Sequence, residues 1–333
     1  ACLALGLGLG APGLALDLSW DLESGAYLGY AGPWDLSGSL GYGSATTSRI
    51  ELSAAGPKGP VRVSGRASLE TAILTGQAAA KAWALAALPA DQVLAPAYSS
   101  TSPAPEALLT ARLRTAWLRL DPGWASLTLG KQILSYGAAP LWSPVDIFSS
   151  LEASGLDTVR RGVDALRLRV PLGDTGMADL VGLPRGKPGE GSYALRLSGL
   201  ALPGLDLGLL GARRGGGASA QASWLAGADL KLDLGPSFFG ELSLAMPDAG
   251  GEPVLRAAWG ADWSIGDLVL AGEYYWNGGL SPGLDPYGAG SHNAYLSLAW
   301  RASDFLSLVS RLQWSSAQDA LSGMVLAYLD VAQ

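Results

Sequence analysis

The sequence predicts an all-β protein that folds as a closed antiparallel transmembrane β-barrel of about 16 to 18 strands. Three observations predict this fold. Segments of about ten residues alternate apolar and polar side chains along much of the chain, as barrel strands do. The composition is 49% hydrophobic and only 15% charged. The connections between the alternating segments are short and long in turn, which is typical of barrels with short periplasmic turns and longer extracellular loops.

The composition argues against the main alternative fold classes. Soluble domains carry about 25% charged residues, so this chain avoids charge. No run of about 20 apolar residues predicts a transmembrane helix. The 46 glycines and 20 prolines cluster in turns, and the segments between them lack the helical periodicity of an α/β protein. A soluble β-sandwich also alternates, but its outer face is densely charged, whereas the polar face here is sparse.

The chain divides into a short leader and one domain. Residues 1–15 are interpreted as a signal-peptide remnant, because an apolar run ends in small residues just before the first alternating segment. Residues 16–333 then form a single transmembrane β-barrel domain. Cys2 is the only cysteine, and it lies either in the hydrophobic core of the signal or at a lipoprotein anchor. The net charge of −7 argues against nucleic acid as a partner.

The alternation predicts individual strands. In 109–117, Leu109, Thr115 and Trp117 share the apolar face, and Arg112 and Arg114 lie on the other. The same period of two predicts strands at 161–171, 220–235, 253–265, 267–277, 292–302 and 304–316. In lipid every backbone N–H and C=O must pair within the protein, and only a closed sheet leaves no open edge.

The connections support the same fold. Short turns are predicted at 121–124, 172–176, 202–204, 234–237, 264–267 and 302–304, and longer loops at 89–106, 134–160, 184–191, 213–218, 247–252 and 278–291. Six tryptophans fall near predicted strand ends, where the membrane interfaces favour amphipathic rings. They are Trp117, Trp124, Trp263, Trp276, Trp300 and Trp314.

If the apolar parity faces lipid, the other parity lines the lumen. The predicted pore-lining residues are Arg112, Arg114, Arg167, Arg169, Arg196, Asp229, Lys231, Glu241, Arg256, Asp262, Glu273, Arg301 and Arg311. Sectors of charge set the selectivity of a pore, and arginines dominate the earlier strands. This predicts a mild preference for small polar or anionic solutes. The alternative is that these charges pair across strands and only keep the lumen wet.

One motif carries a family resemblance. Residues 129–149 read "LGKQILSYGAAPLWSPVDIFS", with Gly130, Lys131, Gln132, Tyr136, Gly137, Pro144 and Asp146 at the motif positions and Trp142 and Phe148 beside them. The pattern resembles porin-like outer-membrane barrels, including the alginate-export type, in which the lysine is usually arginine. The resemblance implies a bacterial outer-membrane protein.

Long loops in compact folds are usually functional, so we expect 134–160 to fold into the barrel and constrict the lumen, with Asp146 near the constriction. The alternative is a loop that only caps the rim.

The sequence favours passive passage of small polar or anionic solutes and allows two other functions. The resemblance also allows a barrel component of a lipid or polysaccharide export system. A hydrolase would need His292, the only histidine, but Ser291 beside it points to the opposite face of a strand, so we expect no enzyme.

No cofactor and no metal are expected. The expected partners are outer-membrane lipid and the barrel-assembly machinery during insertion, and a homo-oligomer stays an open alternative. Gly323, Leu326 and Tyr328 in the last strand resemble the C-terminal signal that this machinery recognises.

Overall fold

The computed structural model is a closed barrel of antiparallel strands. The structure describes residues 15–33, 39–56, 60–76, 107–148, 151–154, 157–160, 162–185, 190–216, 222–248, 250–279, 291–316 and 320–329. Within these residues, no helix is long and apolar enough to cross a membrane. The predicted signal segment lies outside them, except for Ala15, which begins the first strand.

The described residues form eighteen strands. They are β1 (Ala15–Pro33), β2 (Ser39–Ala55), β3 (Arg62–Gly76), β4 (Ala107–Asp121), β5 (Ser126–Gln132), β6 (Leu151–Ser154), β7 (Asp157–Arg160), β8 (Val163–Leu172), β9 (Gly176–Leu183), β10 (Ser192–Leu202), β11 (Leu205–Arg214), β12 (Ser223–Asp233), β13 (Ser237–Pro247), β14 (Val254–Ile265), β15 (Leu268–Asn277), β16 (His292–Arg301), β17 (Leu306–Ser315) and β18 (Ala320–Leu329).

Sixteen of these strands form the barrel, and each pairs with its neighbour along the chain. The exceptions are β6 and β7, which form a separate two-stranded sheet, so β5 pairs directly with β8. The barrel closes where β1 pairs with β18, from Gly25 opposite Tyr328 to Pro33 opposite Ala320. The predicted fold class is therefore confirmed, at the lower end of the predicted strand number.

The two ends of the barrel differ in the length of their connections. All six predicted short turns join strands at one end; the turn between β10 and β11, for example, is only Pro203 and Gly204. The other end carries the longer loops, of which 89–106 lies outside the described residues and 280–290 is likewise not described. This alternation matches the predicted placement of short turns and longer loops.

The two faces of the wall also follow the predicted alternation. In β12, Trp224 is 55% exposed, whereas its neighbours Ser223 and Leu225 are 3% and 7% exposed. Trp263 on β14 and Trp300 on β16 are likewise exposed and lie close to the end with the short turns. Large apolar side chains thus face outward, and small, polar or packed side chains face inward.

One prediction about the faces is wrong. Thr115 and Trp117 were expected on the apolar outer face, but a bulge at Arg114 shifts the pairing of β4 with β3 by one residue. A one-residue shift exchanges the two faces of a strand. Thr115 is consequently buried, and the guanidinium carbon of Arg119 lies 5.2 Å from the Trp117 ring centroid on the inner face.

Candidate functional site: the barrel interior

Residues 133–148, here called the inner loop, follow β5 and pack against the inner face of the barrel. The buried apolar cluster comprises Leu134, Tyr136, Val145 and Phe148 from the loop and Val163, Ala165, Val181, Ala194, Leu210, Ala212, Leu225, Ala245 and Val254 from the wall. These wall residues come from every strand between β8 and β14. Burial of a large apolar side chain contributes about 1.5–3 kcal/mol, so the cluster holds the loop firmly inside.

The tip of the inner loop reaches two further strands. Trp142 is 1% exposed and stacks on Tyr275 of β15, with ring centroids 5.9 Å apart and an interplanar angle of 22°. Tyr295 of β16 meets the same indole edge-on at 6.3 Å. Phe239 and Ala258 complete this second buried cluster. The inner loop therefore contacts the wall from β8 to β16.

Two inward-facing carboxylates hold the backbone of the inner loop. Glu241 Oε1 accepts hydrogen bonds from the N–H groups of Ala138 and Ala139, both at 2.6 Å. Glu273 Oε2 accepts from the N–H of Leu141 at 3.0 Å, and its Oε1 accepts from the N–H of Trp142 at 2.6 Å. Both glutamates lie in the middle part of their strands, β13 and β15, so the loop descends well below the rim.

Ser143 links the two halves of this arrangement. Its Oγ lies 2.7 Å from Glu241 Oε2 and 2.9 Å from the carbonyl oxygen of Tyr136. A hydroxyl has one proton to donate, so Ser143 can serve only one of these two acceptors at a time. This asymmetry distinguishes the environment of Glu241 from that of Glu273, where both oxygens face backbone donors.

Gly137 is required where the inner loop meets Glu241. Its φ is +86°, and a Cβ at this position would lie 2.2 Å from Glu241 Oε1 and 2.4 Å from Ser143 Oγ. Gly137 thus allows both the turn and the close approach of the carboxylate. This explains one of the motif positions in physical terms.

Replacing Gly137 with alanine is expected to detach this part of the inner loop, because the substitution combines backbone strain with a clash. A strained positive φ costs about 1–3 kcal/mol, and the displaced carboxylate loses its hydrogen bonds. Hydrogen–deuterium exchange of peptides covering 133–148 should accelerate. Gly235→Ala is the matched control, since Gly235 has φ +104° but open space around its Cβ position. Unchanged exchange in Gly137→Ala would contradict the assignment.

The remaining motif residues are mostly buried. Lys131 lies opposite Asp164 in the β5–β8 ladder, with Nζ 3.4 Å from Oδ1. Gln132 donates to the carbonyl oxygen of Ala165 at 3.1 Å. Pro144 is buried, and the buried carboxylate of Asp146 is paired with Arg160. These motif residues thus anchor the loop and its connection to β8.

Tyr136 is the motif residue that meets the wall arginines. The guanidinium carbons of Arg167 and Arg196 lie 6.0 and 5.4 Å from its ring centroid. Phe148 packs edge-on against the same ring at 5.9 Å. The ring is therefore enclosed by two cations and an aromatic neighbour.

Arginines outnumber carboxylates on the inner wall of β2–β4. Glu70 of β3 is contacted by three guanidinium groups: Arg112 Nε at 2.7 Å, Arg49 Nη2 at 3.3 Å and Arg114 Nη1 at 3.8 Å. The carboxylate of Glu70 therefore contacts three guanidinium groups. This set of four residues is called the Glu70 cluster below.

A second arginine excess lies on β8 and β9. Asp179 accepts from Nε of Arg167 at 2.9 Å, and Nε of Arg169 lies 3.7 Å from the same carboxylate. This group of three residues is called the Asp179 cluster. Next to it, Arg196 of β10 binds Asp229 of β12 with two hydrogen bonds of 2.6 and 2.8 Å. That pair passes over Gly208 of the intervening strand.

Replacing Gly208 with alanine is expected to lower the free energy of unfolding by about 1.5–3 kcal/mol, the range of a hydrogen bond to a charged group. A Cβ at Gly208 would lie 2.4 Å from both Arg196 Nη2 and Asp229 Oδ2. Urea unfolding of the refolded protein in detergent measures the change. Gly211→Ala on the same strand is the control, because its Cβ would meet nothing within 4 Å. Equal stability of the two variants would contradict the expectation.

The other predicted pore-lining residues lie on the inner parity but differ in surroundings. Lys231 Nζ lies 3.6 Å from Asp233 Oδ1, and Arg256 donates from Nε to Asn277 at 3.2 Å. Asp262 and Arg311 are half-buried. Arg301 is exposed near the short-turn end and binds Asp267 at 2.9 Å, away from the inner loop.

Sequence reasoning missed the acids that organise the arginines. Glu70 and Asp179 occupy the polar parity of 62–76 and 176–183, two segments whose alternation is readable in the sequence. Arg49 of β2 was missed for the same reason. The sequence alternation therefore placed these side chains on the inner face. Only the pairing of neighbouring strands shows which carboxylate contacts which guanidinium group.

His292 lies outside this interior. Its Nδ1 is 2.5 Å from the hydroxyl of Tyr274, which belongs to the outward parity of β15 and packs against exposed Trp259. The imidazole therefore sits on the outer side of the long-loop rim. This position gives it no access to the charged inner wall.

Neither a family model nor a curated protein matches the chain, but solved structures do. An anion-selective porin from Comamonas acidovorans has a TM-score of 0.60 at 13% identity, covering 95% of this chain and 98% of that one. A variant of the Rhodopseudomonas blastica porin has a TM-score of 0.54 at 10% identity, covering 93% and 99%. An engineered protein of asymmetric conductivity scores 0.55 at 9% identity, with the same coverage.

These TM-scores, over nearly the whole of each chain, establish a shared fold. The chain has the barrel fold of these bacterial porins over nearly its full length, in agreement with the predicted porin-like barrel. The more specific resemblance to alginate-export barrels stays a prediction.

Proposed function

We propose that this protein is a porin-like channel of a bacterial outer membrane that lets small polar and anionic solutes pass passively. We also propose that the inner loop constricts its lumen. The observation that carries the proposal is the inner loop itself, which is packed across β8–β16 and held by Glu241 and Glu273. A loop with this anchoring occupies one side of the interior permanently and leaves the side of β2–β4 for passage.

The charges support an anion preference. In the Glu70 cluster the side chain of Arg49 is 28% exposed and that of Glu70 only 5%. In the Asp179 cluster the side chain of Arg169 is 36% exposed and that of Asp179 only 6%. The guanidinium groups therefore reach further into the interior than the carboxylates. Glu241 and Glu273 lie under the inner loop, so their charges are directed at its backbone.

The outer surface supports a place in a lipid membrane. Exposed leucines and tryptophans cover the outward parity of successive strands, as in Leu195, Leu209, Trp224, Leu242 and Trp259. Such a surface suits hydrocarbon, and closure of the sheet pairs its backbone groups. The Comamonas neighbour is described as anion-selective, which agrees with the charge argument made from this chain's own residues.

Planar-bilayer recording of the refolded protein tests the proposal. In a potassium chloride gradient we expect ohmic steps with a reversal potential that reports chloride preference. The preference should weaken as ionic strength rises, because salt screens fixed charges. Cation preference would refute the anion assignment, and a protein that inserts without conducting would refute the channel.

A further inference from the structure

The outer face of the barrel carries an apolar groove of about 580 Å³ across β10–β14, here called the outer groove. The large side chains that line it belong to the outward parity and are exposed, as are Leu242 and Trp259. Small residues, Ala228 and Gly240, lie between these large side chains. Pockets of roughly 300–1,000 Å³ hold small ligands, so the outer groove has the size of a binding site.

The fold itself does not require a glycine in the outer groove. A Cβ at Gly240 would meet only side-chain atoms of Leu230, at 3.7–3.9 Å, which is ordinary van der Waals contact. The missing side chain therefore leaves room on the lipid-facing side of the wall. Lipid tails are as apolar as leucine, so close packing decides how firmly such a groove holds a tail.

The outer groove leads along the sheet to a polar pair at the long-loop rim. Gly240 lies opposite Trp259, and Trp259 lies opposite Tyr274, with the two ring centroids 4.6 Å apart. The hydroxyl of Tyr274 lies 2.5 Å from Nδ1 of His292. From Gly240 on β13 to His292 on β16 is three strand spacings, about 14 Å. One leaflet of the hydrocarbon core is about 15 Å deep, so the track matches the length of a lipid tail.

His292 gives the track a hydrogen-bonding end. Its side chain is exposed, and within the described residues its ring bonds only to Tyr274, through Nδ1. Tyr274 can donate its proton to Nδ1, which places the ring proton on Nε2. The Nε2–H group is then available to an acceptor on a lipid headgroup.

We propose that the outer groove and the Tyr274–His292 pair form a binding site for one phosphate-bearing membrane lipid. One acyl chain lies along the outer groove, and a headgroup oxygen accepts a hydrogen bond from Nε2 of His292. An apolar track with a polar end at the rim suits an amphiphile of this kind better than a wholly apolar ligand. The site rests on the membrane location in the proposed function, but it does not depend on conduction.

Native mass spectrometry of the refolded protein with dioleoylphosphatidylglycerol tests the outer groove. We expect one tightly retained lipid per chain. Gly240→Leu fills the groove and should weaken retention about fivefold or more, the effect of overpacking a fitted site. Gly211→Leu is the matched control, because Gly211 is exposed on β11 and a Cβ there would meet nothing within 4 Å. No retained lipid, or equal retention by the two variants, would overturn the site.

A second comparison tests the polar end of the track. His292→Phe keeps a ring but removes the Nε2 donor, so retention of phosphatidylglycerol should fall about tenfold, the effect of losing a hydrogen bond to a charged group. Dioleoylglycerol, which lacks the phosphate, should bind the unchanged protein as weakly. Equal retention of the two lipids by the unchanged protein would overturn the assignment of His292.

Bilayer recordings separate this site from the channel. A protein that conducts but retains no phosphatidylglycerol would refute the lipid site alone. A protein that inserts and retains the lipid without conducting would support the site and refute the channel alone.

Discussion

Replacing Glu273 with glutamine is expected to loosen the inner loop far more than the same replacement of Glu241. At Glu273 both carboxylate oxygens accept hydrogen bonds from backbone N–H groups. In Glu273→Gln the side-chain NH2, which is itself a donor, would therefore point at one of these backbone donors. At Glu241 only Oε1 faces backbone donors, while Oε2 faces the hydroxyl of Ser143. A glutamine NH2 can donate to that hydroxyl, whose own proton then serves the carbonyl oxygen of Tyr136.

The difference should be visible in single-channel recordings. A hydrogen bond to a charged group contributes about 1.5–3 kcal/mol, and an unsatisfied buried donor adds a similar cost. Glu273→Gln should therefore give larger or fluctuating conductance steps, and Glu241→Gln should stay close to the unchanged protein. Asp262→Asn is the control, since it neutralises an inward-facing carboxylate of β14 nearer the short turns. Identical recordings from Glu273→Gln and Asp262→Asn would contradict the role of Glu273 as an anchor.

Neutralising Arg49 and Arg169 together is expected to remove most of the anion preference without unfolding the barrel. Arg49 lies 3.3 Å from Glu70, farther than Arg112, and Arg169 lies 3.7 Å from Asp179, farther than Arg167. After Arg49→Gln and Arg169→Gln, each carboxylate keeps a closely bound partner, Arg112 or Arg167. Each cluster therefore loses one positive charge, while its buried carboxylate stays paired with the remaining arginine.

The reversal potential in a salt gradient measures this change. It should move toward zero or toward cation preference, and the shift should be largest at low ionic strength because screening is weakest there. Arg301→Gln is the control, since Arg301 is exposed and bound to Asp267 near the short turns. An unchanged reversal potential in the double variant, with heat-modifiable electrophoretic mobility retained, would show that these clusters do not set selectivity.

Much of the fold could be predicted because the side-chain period of a strand is two. The exposed Trp224 and the buried Asp229 on β12 lie on the faces that their parity indicates. The face change at Arg114 also left a signal, since the apolar parity moves from Leu109 and Leu113 to Leu118 and Leu120. That signal is weak, because one extra residue resembles ordinary irregularity in the alternation.

The contacts of the candidate site could not be predicted in the same way. The length of the connection after β5 predicted a loop that enters the barrel. The wall residues that bind this loop lie far from it along the chain, as Glu241 does from Ala139. Which carboxylate meets the loop depends on the depth and direction of its path, and neither leaves a local sequence pattern. The requirement for glycine at position 137 could not be predicted either, because the group that leaves no room for a Cβ there is the carboxylate of Glu241 on β13.

Single-channel conductance before and after removal of the inner loop tests the central claim most directly. Residues 138–146 would be replaced by a short glycine–serine linker, and folding would be checked by heat-modifiable electrophoretic mobility. If the loop narrows a water-filled barrel, the shortened protein should give larger ohmic steps with a weaker voltage dependence. Equal conductance of two folded proteins would contradict the account, because the narrowest part of the lumen would then lie elsewhere.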